Sequence, residues 1–166
     1  MTPETVRLLA RYTTWQNESQ IKAMQTLDDA ALRLDRGAFF GSILATANHL
    51  LWGDTMWLSR FAGTPAPPPV TSAGETTDLT PDLPAFVAAR TERNAEISAW
   101  ANGVTVIGGP LRWYSGMLDR EMEKPLSLCI LGFFNHGTHH RGQIHAMLTA
   151  AGVTPDDTDL FLMDLP

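Results

Sequence analysis

Along residues 3–26, Val6, Leu9, Thr13, Gln16 and Gln20 trace one stripe, and Leu8, Tyr12, Trp15 and Ala23 trace its neighbour. Recurrence every three to four residues is the period of an α-helix with one face turned inward. Thr2 suits an N-cap, and Pro3 suits the first helical position, where its missing N–H costs nothing. The next stretch with this period runs from about Phe39 to Phe61 and stops near Gly63. Its apolar positions, among them Phe40, Ile43, Leu44, Ala47, Leu50, Leu51, Met56, Trp57, Leu58 and Phe61, cover more than half of the circumference, which predicts a well-buried helix. Phe86, Val87, Ile97 and Trp100 place a third helix over about 83–101. A fourth covers 125–151, from Pro125 to Gly152, which suits a C-terminal glycine cap with Pro155 shortly after it.

The intervening segments read differently. Asp28, Asp29, Asp35 and Gly37 suit a turn. Residues 63–81 form a long loop, because Pro65, Pro67, Pro68 and Pro69 forbid a helix, and loops of this length often carry function. Val104, Val106 and Ile107, the Gly108-Gly109-Pro110 turn, then Leu111 and Trp113 predict a short β-hairpin or an extended crossover. The tail after Pro155 adds one helical turn. The expected fold class is therefore all-α, an antiparallel four-helix bundle with one long crossover loop, forming a single domain over 1–166.

Charge narrows the function. The net charge is −6 and the twelve basic residues are scattered, which argues against a nucleic-acid partner, since phosphate binding needs clustered Lys and Arg. No run of about 18 apolar residues exists to span a membrane. The N-terminal residues lack a basic region followed by an apolar one, and one cysteine, Cys129, allows no intrachain disulfide; a cytoplasmic location is expected.

The candidate chemistry lies in the histidines. His136 and His140 are four residues apart, which puts both on one helical face with Cβ atoms about 6 Å apart. The seam that holds them, Cys129, Phe133, His136, His140, Gln143 and Met147, is apolar at its ends and turns inward. On the second helix, the seam Ala45, His49, Trp52 and Met56 also turns inward. Three neutral imidazoles from two facing helices make a metal site with an open coordination position, the pattern of catalytic rather than structural centres. A single inward His is more often a satisfied core residue, and a pair at this spacing also arises by chance, so the weight rests on the conjunction of the two seams. His139 and His145 fall off the seam and suit solvent-facing places or a supporting position behind the ligands. Cys129 reads as a small core residue. Asp54, Tyr12, Arg141 and Gln143 are the polar groups near these seams in sequence; Asp54 and Arg141 read as surface or interhelix ion-pair residues.

The segments FGSILATANHLLWGDTMWLSRFAG and FNHGTHHRGQIHAMLTAAG, with YTTWQN on the first helix, resemble the DinB/YfiT family, in particular its DinB branch, over nearly the whole chain. The resemblance implies a four-helix bundle in which three histidines hold one divalent transition metal, Zn or Ni. Carried over, the ligands are His49, His136 and His140. Gly137 is a departure, standing where similar proteins often carry Gln; it leaves room beside His136. The resemblance further implies a homodimer, for which the apolar girth of the 39–61 helix, broader than one bundle seam needs, also speaks. The same resemblance implies a metalloenzyme of hydrolase or thiol-S-transferase type acting on a small-molecule substrate such as a low-molecular-weight thiol. The alternative is a non-catalytic, metal-binding stress-response protein.

Overall fold

The computed structural model describes residues 1–116 and 118–164. The helices are α1 (Pro3–Met24), α2 (Asp29–Arg33), α3 (Ile43–Ala62), α4 (Leu83–Gly103) and α5 (Leu126–Ala150); a two-stranded sheet, β1 (Pro110–Ser115) and β2 (Arg120–Pro125), lies between α4 and α5. Two 3₁₀ turns, Ala73–Thr76 and Leu160–Leu162, complete the described elements.

Local chemistry sets the helix ends. Thr2 and Thr5 form a reciprocal capping box at the start of α1. Asp28, Ser42 and Asp82 each accept a backbone N–H at the start of α2, α3 and α4. α5 closes in a Schellman arrangement: Gly152 adopts φ 83° and Val153 donates its N–H to Leu148 O at 3.1 Å. Two sequence expectations shift. The turn expected at 28–37 contains α2. The second long helix begins at Ile43 rather than Phe39, because Gly41, at φ 75°, bends the chain and Ser42 then caps the helix.

The hairpin exists but is displaced along the chain. Gly108-Gly109-Pro110 leads into β1 rather than forming the turn, and Trp113 pairs with Met122 across the ladder. The second strand reads Arg-Glu-Met-Glu-Lys-Pro, charged on both faces, so it carries little of the alternation by which strands are recognised.

Helix directions follow from which residues meet. Arg7 reaches Val104 O, and Asn17 bonds Asn94, so α1 and α4 are antiparallel. One apolar cluster joins Ala23 and Met24 of α1, Ile43, Leu44, Ala47 and Leu51 of α3, Phe86 of α4, and Ile144, Met147 and Leu148 of α5. The other joins Val6 and Ala10, Leu58, Ile97 and Ala101, and Ile130, Phe133 and Phe134. It follows that α3 and α5 are antiparallel, whereas α1 and α5, and α3 and α4, run the same way. The antiparallel expectation thus holds for two of the adjacent pairs, and residues 63–82 must return along the length of the bundle to start α4.

Between the two apolar clusters lies a buried polar belt. It contains Asn17 and Gln20 of α1, His49 and Asp54 of α3, Arg90 and Asn94 of α4, and His140 and Arg141 of α5. Arg90 donates to Asp54 at 2.6 Å, each side chain 2% exposed. Such a pair sets register more than it adds stability, because desolvation offsets most of the attraction. The broad apolar face of α3 is covered within the chain by α2, α4, α5 and the Ala73–Thr76 turn, so it gives no argument for a second copy.

Candidate metal centre

The antiparallel α3/α5 pair brings the three histidines together inside this belt. His136 and His140, one turn apart on α5, face His49 on α3. His136 Nε2 lies 3.3 Å from His49 Nε2 and 3.1 Å from His140 Nε2, and one ring nitrogen from each of the three falls within 4.8 Å of the others. Nitrogens held ~2.0–2.1 Å from one tetrahedral ion stand ~3.3 Å apart, so this spacing fits a shared cation.

The opposite ring nitrogens decide which lone pairs converge. Thr76 Oγ1 donates to Ala73 O at 2.6 Å, which leaves it to accept from His49 Nδ1 at 2.7 Å. His140 Nδ1 lies 2.8 Å from Gln143 Oε1, an acceptor. Both imidazoles therefore carry their proton on Nδ1 and present a bare Nε2 to the middle. Bare lone pairs crowded at these distances repel unless a cation or a shared proton lies among them. His136 Nδ1 is buried with no partner among the described residues.

Burial sets the protonation. His49 is 9% and His140 6% exposed. Desolvation, followed by the neighbouring histidines, lowers the His49 pKa to about 3. Desolvation lowers that of His140 to about 4 against the opposing bond from Gln143, and lowers that of His136 despite the Asp54 charge. All three rings are therefore neutral at pH 7, the form in which imidazole donates to a metal.

Three residues that sequence pattern did not single out complete the site. Thr76 comes from the long loop, where it is buried among exposed neighbours. The ring of Phe40, just before α3, stacks on His49 with centroids 4.0 Å apart. Gly53 faces His136: a Cβ there would lie 3.0 Å from His136 Cε1, so glycine lets that ring rest against the α3 backbone. Phe40 had an apolar signal without a site signal, and Gly53 had only its size.

The remaining candidates separate. His139 is exposed and edge-on to His140, and Cys129 is a buried core residue. Trp57 and Trp100 pack with Phe61 at one end of the bundle. Asp54 forms the expected interhelix ion pair, with Arg90. Arg141 does not: it is buried, and no carboxylate pairs with it among the described residues. The room left by Gly137 is taken by Arg141, since a Cβ there would lie 2.9 Å from its Nη1.

No match is found among curated proteins or among solved structures. The sequence matches the DinB family over residues 1–165, which takes in every residue of the histidine cluster. On that match, which spans essentially the whole chain, the protein belongs to the DinB family.

Proposed function

We propose that His49, His136 and His140 hold one divalent transition metal, zinc or nickel, and that the chain is a metal-dependent enzyme of thiol-S-transferase type. The observation that carries the reading is the convergence of three neutral imidazoles whose outer nitrogens are occupied or enclosed, so that their Nε2 atoms point to one place. A metal with three protein ligands retains an open position and supplies Lewis-acid chemistry, lowering the pKa of a bound water or thiol. The chain's own residues orient the ligands: Thr76 and Gln143 hold two rings by their Nδ1 protons, and Phe40 covers the His49 face.

Thiol transfer is favoured over hydrolysis by one feature. Among the described residues no carboxylate joins the histidine cluster, and Asp54, the nearest in sequence to His49, is taken by Arg90. Hydrolytic centres commonly add a positioned general base to the metal-bound water, whereas a thiol, far more acidic than water, ionises at a metal without one. A homodimer and a low-molecular-weight thiol co-substrate follow from the family resemblance.

Elemental analysis of protein purified without a histidine tag tests the metal, and His140→Ala tests its ligand. One equivalent of metal in the wild type and none in the variant is the expected result; retention of metal with native affinity by His140→Ala overturns the reading. A thiol-transfer assay alongside an esterase assay separates the reaction classes, and light scattering at micromolar concentration tests the dimer.

A further inference from the structure

On the other side of α5 from the histidines, a cleft of about 280 Å³ opens between α1 and α5. It lies just below the usual range for small-molecule sites, which suits a ligand of few atoms. Tyr12, Gln16, Gln20, Thr138, Arg141 and His145 line it. Four of these polar groups are already engaged. Tyr12 Oη donates to Thr158 O at 2.7 Å, Gln16 Nε2 to Asp157 O at 3.0 Å and Gln20 Nε2 to Arg141 O at 2.7 Å. Thr138 Oγ1 donates to Phe134 O at 3.0 Å and accepts from Arg141 Nη2 at 3.2 Å.

Arg141 is different. It is 5% exposed, lies over the Tyr12 ring at 5.7 Å, and its Nε and Nη1 make no hydrogen bond among the described residues. A buried guanidinium without a carboxylate is costly. The belt as a whole has the same imbalance. Its buried acidic and guanidinium side chains are Arg90, Arg141 and Asp54, and Asp54 is paired to Arg90, which leaves one guanidinium over. Gly137 keeps the guanidinium folded against the helix, and Gly142 and Ala146 leave the space in front of it open.

We propose that this cleft binds a small organic carboxylate through Arg141. One unpaired cation matches one anionic charge, and Nε and Nη1, on different sides of the guanidinium, each keep an N–H free for a carboxylate oxygen. Tyr12, Gln16, Gln20 and Thr138 are uncharged and internally bonded, so Arg141 is the one guanidinium that faces the cleft and His145 the one imidazole. A phosphate that used both would bind more tightly than a carboxylate, which titration with phosphate distinguishes. The Tyr12 ring and the small residues of α5 provide an apolar wall for the rest of the acid. The site lies on a different face of α5 from the histidine cluster and does not depend on the metal reading.

Benzoate, its neutral isostere benzamide, and inorganic phosphate are the probes, titrated by calorimetry into the full chain as purified. Saturable binding of one benzoate is expected, with benzamide and phosphate weaker by at least about tenfold. In the wild type, benzoate is expected to shift the Arg141 Nε–H resonance, a readout that needs no variant. Arg141→Gln and Ala146→Phe, the latter filling the cleft with the cation intact, are each expected to weaken benzoate binding at least about tenfold, with metal content unchanged. Absence of saturable benzoate binding at millimolar concentration overturns the proposal. So does equal binding of benzamide, tighter binding of phosphate, an unmoved Arg141 resonance, or benzoate binding that survives Ala146→Phe, which would place the acid at the histidines.

Discussion

The Thr76 hydroxyl accepts a hydrogen bond from His49 Nδ1–H at 2.7 Å and donates its own to Ala73 O, so a loop residue fixes the tautomer of a helix residue twenty-seven positions before it. Thr76→Val keeps the shape and removes the acceptor. Metal affinity is expected to fall about 10- to 100-fold, as when other groups behind a ligating histidine are removed, and Thr76→Ser is expected to restore it. Competition with a metallochromic chelator measures both; an unchanged affinity in Thr76→Val would show that the tautomer is set elsewhere.

Gly53→Ala sets a methyl group 3.0 Å from His136 Cε1, closer than ordinary carbon contact. The ring must move by a few tenths of an ångström. Alanine also favours the helix by about 1 kcal/mol over glycine. The expected outcome is weaker metal binding without loss of thermal stability. Calorimetric melting of the metal-free protein and a metal titration separate the two effects; tighter metal binding would contradict the packing argument.

The Asp54–Arg90 pair predicts strong non-additivity. Arg90→Met leaves Asp54 buried and unpaired and is expected to cost about 3–5 kcal/mol, as is Asp54→Leu from the other side. The double variant is expected to cost much less than the sum, because neither member of the pair is left without the other. Urea denaturation of the four proteins closes the cycle, and additive losses would mean that the two charges act independently.

Acid acts on the metal-free protein through the histidines. Their unfolded pKa is near 6.5, and in the folded chain burial lowers that of His49 to about 3 and of His140 to about 4. Below pH 6.5 the unfolded state binds more protons, so stability is full above that pH and falls progressively toward pH 3–4. Denaturation midpoints across pH 4–7 should decline with acid for the wild type and less steeply for His49→Gln. Parallel curves would show that other groups dominate.

Much of this site was legible without coordinates, for definite reasons. The spacing of His136 and His140 is a property of the helix itself, and the seam around His49 needed only a period of 3.6 residues. What stayed hidden depends on the approach of distant segments: Thr76 under His49, Gly53 against His136, and the charged strand Arg120–Pro125. Arg141 was misplaced at an ion pair or on the surface because arginine is rarely buried unpaired. The one mark of its position was Gly137, whose missing side chain was read as space beside the histidine rather than as space for a guanidinium.

The shared direction of α3 and α4 has a consequence for how the site is walled. A 20-residue helix rises about 30 Å, so the chain leaving Ala62 must climb that far before α4 can start. Nine extended residues would cover the distance, and residues 63–82 hold about twice as many. The first part, with Trp52 Nε1 bonded to Pro68 O, works as a strut; the surplus lets the Ala73–Thr76 turn fold inward midway, at the height of the histidines. Had the two helices run in opposite directions, a few residues at the far end would have joined them, and His49 would have no hydroxyl behind it.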